Sequence, residues 1–297
     1  MPNSSVILRQ CDFLKNKTVP FMVEELPYSA ISNDVMHSHE FSELTLVLSG
    51  TAEHRCMGRS VPVSREQVLL IHPGTEHCFA NEEKFHAISI LYDAEQELPQ
   101  LLSCDLDFVR KMYPSDYAAS HEQAEPITMI PSCDFPFFTD ILLRLRYEIR
   151  HTRLGYRTIA PAIFCEMAGY LARGYSTQTD LRNNAPLKRI TEYISRHYKD
   201  KISVRNLSRA NGMSERSLYL AFQKNFHIGP HGYIIKMRLS RASELLGGTR
   251  LPIADIAYET GFYDSNQFCK LFRDAYQMTP RQYRKRKTEE REEDISL

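Results

Sequence analysis

The sequence predicts an α+β protein: a small N-terminal barrel or sandwich of strands with flanking helices, then an all-α unit of two helix-turn-helix motifs joined by a long helix. Three observations carry this expectation. Short apolar runs broken by turn residues fill the chain to about Ile90. After Pro186 one pattern of residues occurs twice, at an offset of 49 and then 50 positions. The charge is also unevenly divided. The formal net charge is +0, yet 20 Lys and Arg stand against 8 Asp and Glu between Pro186 and Lys287, leaving 17 against 29 elsewhere. One half is therefore suited to approach a polyanion and the other is not.

At 297 residues, with 42% hydrophobic and 25% charged residues, the chain is long enough for two ordinary globular domains. No apolar run approaches the roughly 18 residues of a membrane span. The segment from Met1 to Lys17 lacks a basic region followed by an apolar one, so a cytoplasmic protein with no membrane partner is expected. The 7 cysteines are scattered and form no CxxC pair, as expected of reduced thiols.

In the N-terminal half, Leu44 to Leu48, Val68 to Ile71 and Ala87 to Leu91 read as strands. Ser49-Gly50, Gly58-Arg59 and Pro73-Gly74 supply the turns. From about Leu98 the pattern shifts toward helix. Phe137, Phe138, Ile141, Leu142, Leu145 and Ile149 recur at helical spacing, and a second helix runs near Thr158 to Arg173. These helices either cover the strands or form a dimer contact, and a homodimer joined through them is the expectation. The polar stretch Gly174 to Pro186 lacks periodicity and ends in proline. Domains are therefore expected at 1–175 and 187–287, with a linker at 176–186 and an acidic tail at 288–297.

Each copy of the C-terminal repeat has the physics of a helix-turn-helix. Leu207, Gly212, Met213, Leu218, Phe222, Phe226, Pro230 and Tyr233 mark the first; Ile256, Gly261, Phe262, Phe268, Phe272, Tyr276, Pro280 and Tyr283 mark the second. The glycines suit the left-handed residue that ends a short helix. Ser214 is placed to cap the next helix, and a helix from about Asp264 is its counterpart. Tyr233 to Leu246 reads as the connecting helix, ending at Gly247-Gly248. Such motifs place the start of the second helix in the major groove, so double-stranded DNA is the expected partner.

These residues resemble the AraC/XylS family of transcription activators, through Arg238 to Leu246, Ile253 to Ala257, Gly261-Phe262, Phe268, Phe272-Arg273 and Thr279 to Arg284. Cys269 departs from the usual Ser or Thr, and Gln277 from a common glycine. The resemblance implies base-reading faces at Glu215, Arg216, Tyr219 and Leu220, and at Asp264, Ser265, Asn266, Cys269 and Lys270. Arg216 suits guanine and Asn266 adenine. Lys224, Arg273, Arg281 and Arg284 are expected at phosphates. As an activator the protein would also contact RNA polymerase.

In the N-terminal half, His37, His39 and Glu43 share a parity on an extended strand, and His77 follows after Pro73-Gly74. Three imidazoles and a carboxylate suit a divalent transition metal such as Zn, Ni, Fe, Mn or Cu without selecting among them. The alternative is a hydrogen-bonded polar cluster that binds a polyol directly. His54 and His72 are expected to be structural. These segments resemble the two motifs of cupins, closing at Gly50 and Asn81, which implies a cupin barrel sensing a small-molecule effector. The stretch His37 to Gly50 also resembles rhamnose-responsive members of the family, pointing to a sugar. The expectation is therefore a ligand-responsive, DNA-binding regulator rather than an enzyme. The rivals are a metal-dependent cupin enzyme, and a regulator whose cupin only dimerises.

Overall fold

The computed structural model describes residues 6–9, 19, 21–26, 34–93, 112, 128–130 and 134–295. The expected turn to helix from Leu98 thus lies outside the described residues up to position 111. The chain divides into two units. Met1–Pro131 with Phe138–Gln178 form the first, and Ser132–Phe137 with Thr179–Leu297 the second.

The first unit is built on one sheet of strands β1 (Val6–Leu8), β2 (Phe21–Glu25), β3 (His37–His39), β4 (Ser42–Cys56), β5 (Arg59–Ser64), β6 (Gln67–Ile71), β7 (His77–Tyr92) and β8 (Thr128–Met129). Their order is β1-β3-β7-β4-β6-β8, with β2 also on β7 and β5 also on β4. The long antiparallel pair β4 and β7 spans both halves of the roll. Three register shifts between Val47 and Glu53 bend it. Gly50, at φ +71°, lies where a Cβ would collide with the backbone of Glu83 and Lys84, so only glycine allows the bend.

Alternation along β4 sends Glu43, Thr45 and Val47 to the face that meets Leu91, Ser89 and Ala87. The other face is covered too, which is why Leu44 to Leu48 reads as a nearly continuous apolar run. Helix α1 (Phe135–His151) and helix α2 (Tyr156–Asn183) supply that cover. Phe164 of α2 stacks on Phe21 at 5.2 Å and lies 5.6 Å from Tyr92. Arg146 of α1 pairs with Glu25 at 3.4 Å. Within the α1 stripe, Ile141, Leu142 and Leu145 are fully buried within the chain, whereas Phe137 is exposed and Ile149 half-buried. The linker expectation also needs correction. The unit boundary falls within 176–186, but α2 continues helically to Asn183 and Asn184 caps the next helix. A polar stretch of helix carries no apolar period, so such a continuation leaves no trace in the pattern.

The second unit contains helices α3 (Ala185–His197), α4 (Val204–Ala210), α5 (Glu215–Phe226), α6 (Pro230–Gly248), α7 (Ile253–Glu259), α8 (Ser265–Tyr276) and α9 (Pro280–Ile295). The repeat is realised at atomic detail. Helices α4 and α5 flank Gly212 at φ +66°, and α7 and α8 flank Gly261 at φ +86°. Phe222, Phe226 and Tyr233 form a ring cluster with centroids 4.6 to 5.3 Å apart; Phe272, Tyr276 and Tyr283 repeat it at 4.5 to 5.4 Å. Both second helices end in a left-handed residue, His227 at φ 57° and Gln277 at φ 56°. That conformation accounts for the glycine common at position 277 in the family. The tail expected from 288 is not separate, since α9 runs to Ile295.

Candidate metal centre and nucleic-acid interface

Two sites emerge, one inside the roll and one on the helical surface. In the roll, the chain turns between β3 and β4 at Glu40 and Phe41, so His37, His39 and Glu43 do not share one strand as parity suggested. His39 and Glu43 come together nonetheless, with the His39 Nδ1–H reaching Phe41 O at 2.5 Å across the turn. His77 joins from β7, directly opposite His37. All four side chains are buried.

The tautomers follow from the partners. A carbonyl oxygen only accepts, so Nδ1 carries the proton in His37 (to Val35 O, 2.9 Å), His39 and His77 (to Thr75 O, 3.1 Å). That leaves the Nε2 lone pairs as the inward donors, the arrangement found around metal-ligating imidazoles. His39 Nε2 lies 3.2 Å and His77 Nε2 3.7 Å from Glu43 Oε2. None of these three buried atoms makes a hydrogen bond. The other carboxylate oxygen, Oε1, accepts from Thr45 Oγ1 at 2.5 Å and Ser89 Oγ at 2.7 Å.

Two imidazole lone pairs and an anionic oxygen facing one another repel unless a cation lies between them. A proton on one imidazole relieves one contact; a divalent metal relieves all three. The donor atoms of His39, Glu43 and His77 lie within 4.8 Å of one another, which suits one ion with bonds of about 2.0–2.2 Å. Burial raises the Glu43 carboxyl, but His39, His77 and Thr45 outweigh it and hold the group well below the usual carboxylate range. Burial pushes the His77 imidazole down to about 3, and it also lowers His37. The Glu43 and His77 shifts favour the anionic carboxylate and the neutral imidazole that a metal requires. His37 is outside the trio, with its ring 4.4 Å from that of His77. His54 is buried 5.7 Å from the His77 ring, against Phe79. Thr45 was legible as the same-face neighbour of Glu43; Ser89 was not, because only the β4–β7 register brings it there.

On the second unit, the second helix of each motif is positioned by its cap. Ser214 accepts from Ser217 N at 3.0 Å and starts α5, which buries Leu218 and Phe222. Its opposite face exposes Glu215, Arg216, Tyr219, Leu220 and Lys224. Glu215 stands 3.9 Å from Arg205, and Tyr219 packs beside Gly229. Helix α8 exposes Ser265, Asn266, Lys270 and Arg273, with Cys269 half-buried. Two of the expected contact residues also hold the fold. The Asp264 carboxylate accepts from Asn266 N at 2.8 Å as the cap of α8. Arg284 is half-buried and donates to Leu251 O at 2.6 Å, so it ties α9 to the segment before α7. Arg281 is exposed at the start of α9.

Comparison with known proteins agrees with this division. A helix-turn-helix domain model matches residues 207–286, and a cupin domain model matches residues 22–91. The chain is 24% identical over 285 residues to the HTH-type transcriptional activator RhaS of Enterobacter sp. (strain 638), covering 94% of this chain and 96% of that one. It is 23% identical over 286 residues to RhaS of Escherichia coli (strain K12 / DH10B), with the same coverage. Among solved structures, the C-terminal domain of the response regulator yesN from Fusobacterium nucleatum is 36% identical, covering 33% of this chain and 95% of that one, at a TM-score of 0.31. An AraC-type regulator from Chromobacterium violaceum is 25% identical, covering 35% and 94%, at a TM-score of 0.34. With a cupin domain in its first unit, paired helix-turn-helix motifs in its second and relatives matched along nearly its whole length, the chain belongs to the AraC/XylS family.

Proposed function

We propose that the protein is a transcription activator whose cupin roll binds a small-molecule effector at a metal held by His39, Glu43 and His77. Its two recognition helices, α5 and α8, read successive major grooves of one operator. The observation that carries the DNA reading is the repeated presentation of a capped helix with exposed polar ends: Arg216 on α5, and Asn266 and Lys270 on α8. A helix-turn-helix presents this part of its second helix to base edges. Relatives that match over nearly the whole chain carry the name of transcriptional activator, which favours a regulator over a cupin enzyme. A bound divalent ion would supply a Lewis-acidic anchor for vicinal hydroxyl or carboxylate oxygens, and a sugar fits that chemistry.

One set of measurements on the full chain tests both halves. The log of the DNA association constant should fall steeply with log salt, since Lys and Arg displace counterions. Protein purified without chelator should contain about one transition metal per chain, with effector binding lost on chelation. A flat salt plot removes the DNA reading. Effector binding by metal-free protein replaces the metal with a direct hydrogen-bonding role for the same side chains.

A further inference from the structure

The two helix-turn-helix motifs have separate apolar cores. Leu218, Phe222, Tyr233 and Met237 belong to one, and Leu239, Leu246, Phe268 and Phe272 to the other. Helix α6 serves both cores, with Tyr233, Ile234 and Met237 in the first and Ile235, Leu239, Ala242 and Leu246 against the second, and Arg238 stands where the two sets meet. Its Nε donates to Tyr198 O at 2.8 Å and its Nη2 to Asp200 O at 2.8 Å, both just beyond α3. The same guanidinium lies 6.0 Å over the ring of Phe262, which follows the glycine turn of the second motif.

The fit at that turn is close. A Cβ on Gly261 would meet Lys199 O at 2.8 Å and Arg238 Nε at 3.0 Å. Lys199 Nζ also donates to Glu259 Oε2 at 3.1 Å. Residues 198–200 of the first motif's core segment thus rest on residues 259–262 of the second, with Arg238 donating between them. An open cavity of about 620 Å³, lined by Tyr198, Lys199, Arg241, Tyr258 and Glu259 among others, lies beside this seam. Bulk packing does not back the seam on that side.

We propose that Arg238 is a positioning residue that sets the separation and angle of the two recognition helices by latching residues 198–200 onto the turn at 259–262. The operator spacing that the protein accepts is then a property of this latch. The inference rests on the reading above that both motifs engage DNA.

The test uses the full chain and a duplex recovered by wild-type protein from a randomised pool, with and without one base pair inserted between its two protected blocks. The insertion shifts the second block by about 3.4 Å and about 35°. Wild type should lose about 100-fold in affinity, because the second motif no longer gains from tethering by the first. Arg238→Gln, with folding confirmed by circular dichroism, should lose less than about fivefold on insertion while binding the original duplex about tenfold more weakly. Lys199→Glu leaves the cores untouched and sets like charges against Glu259; its insertion penalty should fall to about 30-fold. If Arg238→Gln does not fold, Lys199→Glu decides alone. An unchanged penalty in every folded variant overturns the latch. Insertion tolerated by wild type overturns the two-groove reading and the latch with it.

Discussion

The two units place their chemistry on opposite sides of themselves. The roll turns its imidazoles and carboxylate inward, with His39, Glu43 and His77 at 1% exposure or less. The helical unit turns Arg216, Asn266 and Lys270 outward. Inward placement costs desolvation at folding, so those groups must satisfy one another or hold a ligand. Outward placement costs nothing until a partner arrives. One unit is therefore tuned through its stability and the other through its affinity.

The largest expected effect sharpens that contrast directly. Glu43→Ala removes the acceptor of the buried Thr45 and Ser89 hydroxyls and leaves a void in the roll, so it should destabilise it by about 3 kcal/mol. Arg216→Ala should change stability by less than about 0.5 kcal/mol and yet cost about 1–3 kcal/mol of binding at one base pair. Denaturant unfolding and binding to single-base operator variants measure the two. Equal stability losses from both substitutions would break the contrast.

The next effect separates the units by pH. In chelator-treated protein, the buried His77 binds its proton only near pH 3, whereas the unfolded residue does so near 6.5. Between those values the unfolded state binds more protons, so stability falls as the pH falls. His37, lowered by burial, acts in the same direction above its folded pKa. Glu43, held below its ordinary range, adds to the loss below about pH 4.5. For His77 alone the loss from pH 7 to pH 5 should be about 2 kcal/mol, read from exchange of β4 and β7 amides. His77→Gln should flatten it. A profile equally steep in that variant would remove His77 as the cause.

How much of this was legible in the sequence depends on how local each feature is. The repeat, the glycine turns, the strand runs and the four buried ligand-type residues were legible because each is a short-range pattern. Helix α3 was missed although Leu187, Ile190 and Ile194 are spaced on one face; the proline at its start read as the end of a linker. The meeting of His77 with His39 and Glu43 depends on strand pairing across the sheet, which no local period encodes. The latch of Arg238 depends on contacts 38 and 40 residues apart, which no local period encodes.

The smallest effect tests a distinction within α8. Asp264→Ala should cost about 1 kcal/mol of stability through the lost cap, with base preference unchanged. Asn266→Ala should do the reverse, relaxing preference for one adenine while leaving unfolding almost unaltered. A shift in preference from Asp264→Ala, at preserved helicity, would give Asp264 a reading role besides its cap.

Separate cores also bear on how the protein diversifies. A substitution on α5 or α8 disturbs one apolar cluster, so either reading helix is free to drift toward a new half-operator while its twin holds the old one. Helix α6 lacks that freedom. Met237 serves one cluster and Leu239 the other, only two positions apart, and every change there is felt by both motifs at once. Lineages descended from such a chain should therefore vary quickly in which bases they read and slowly in how far apart they read them.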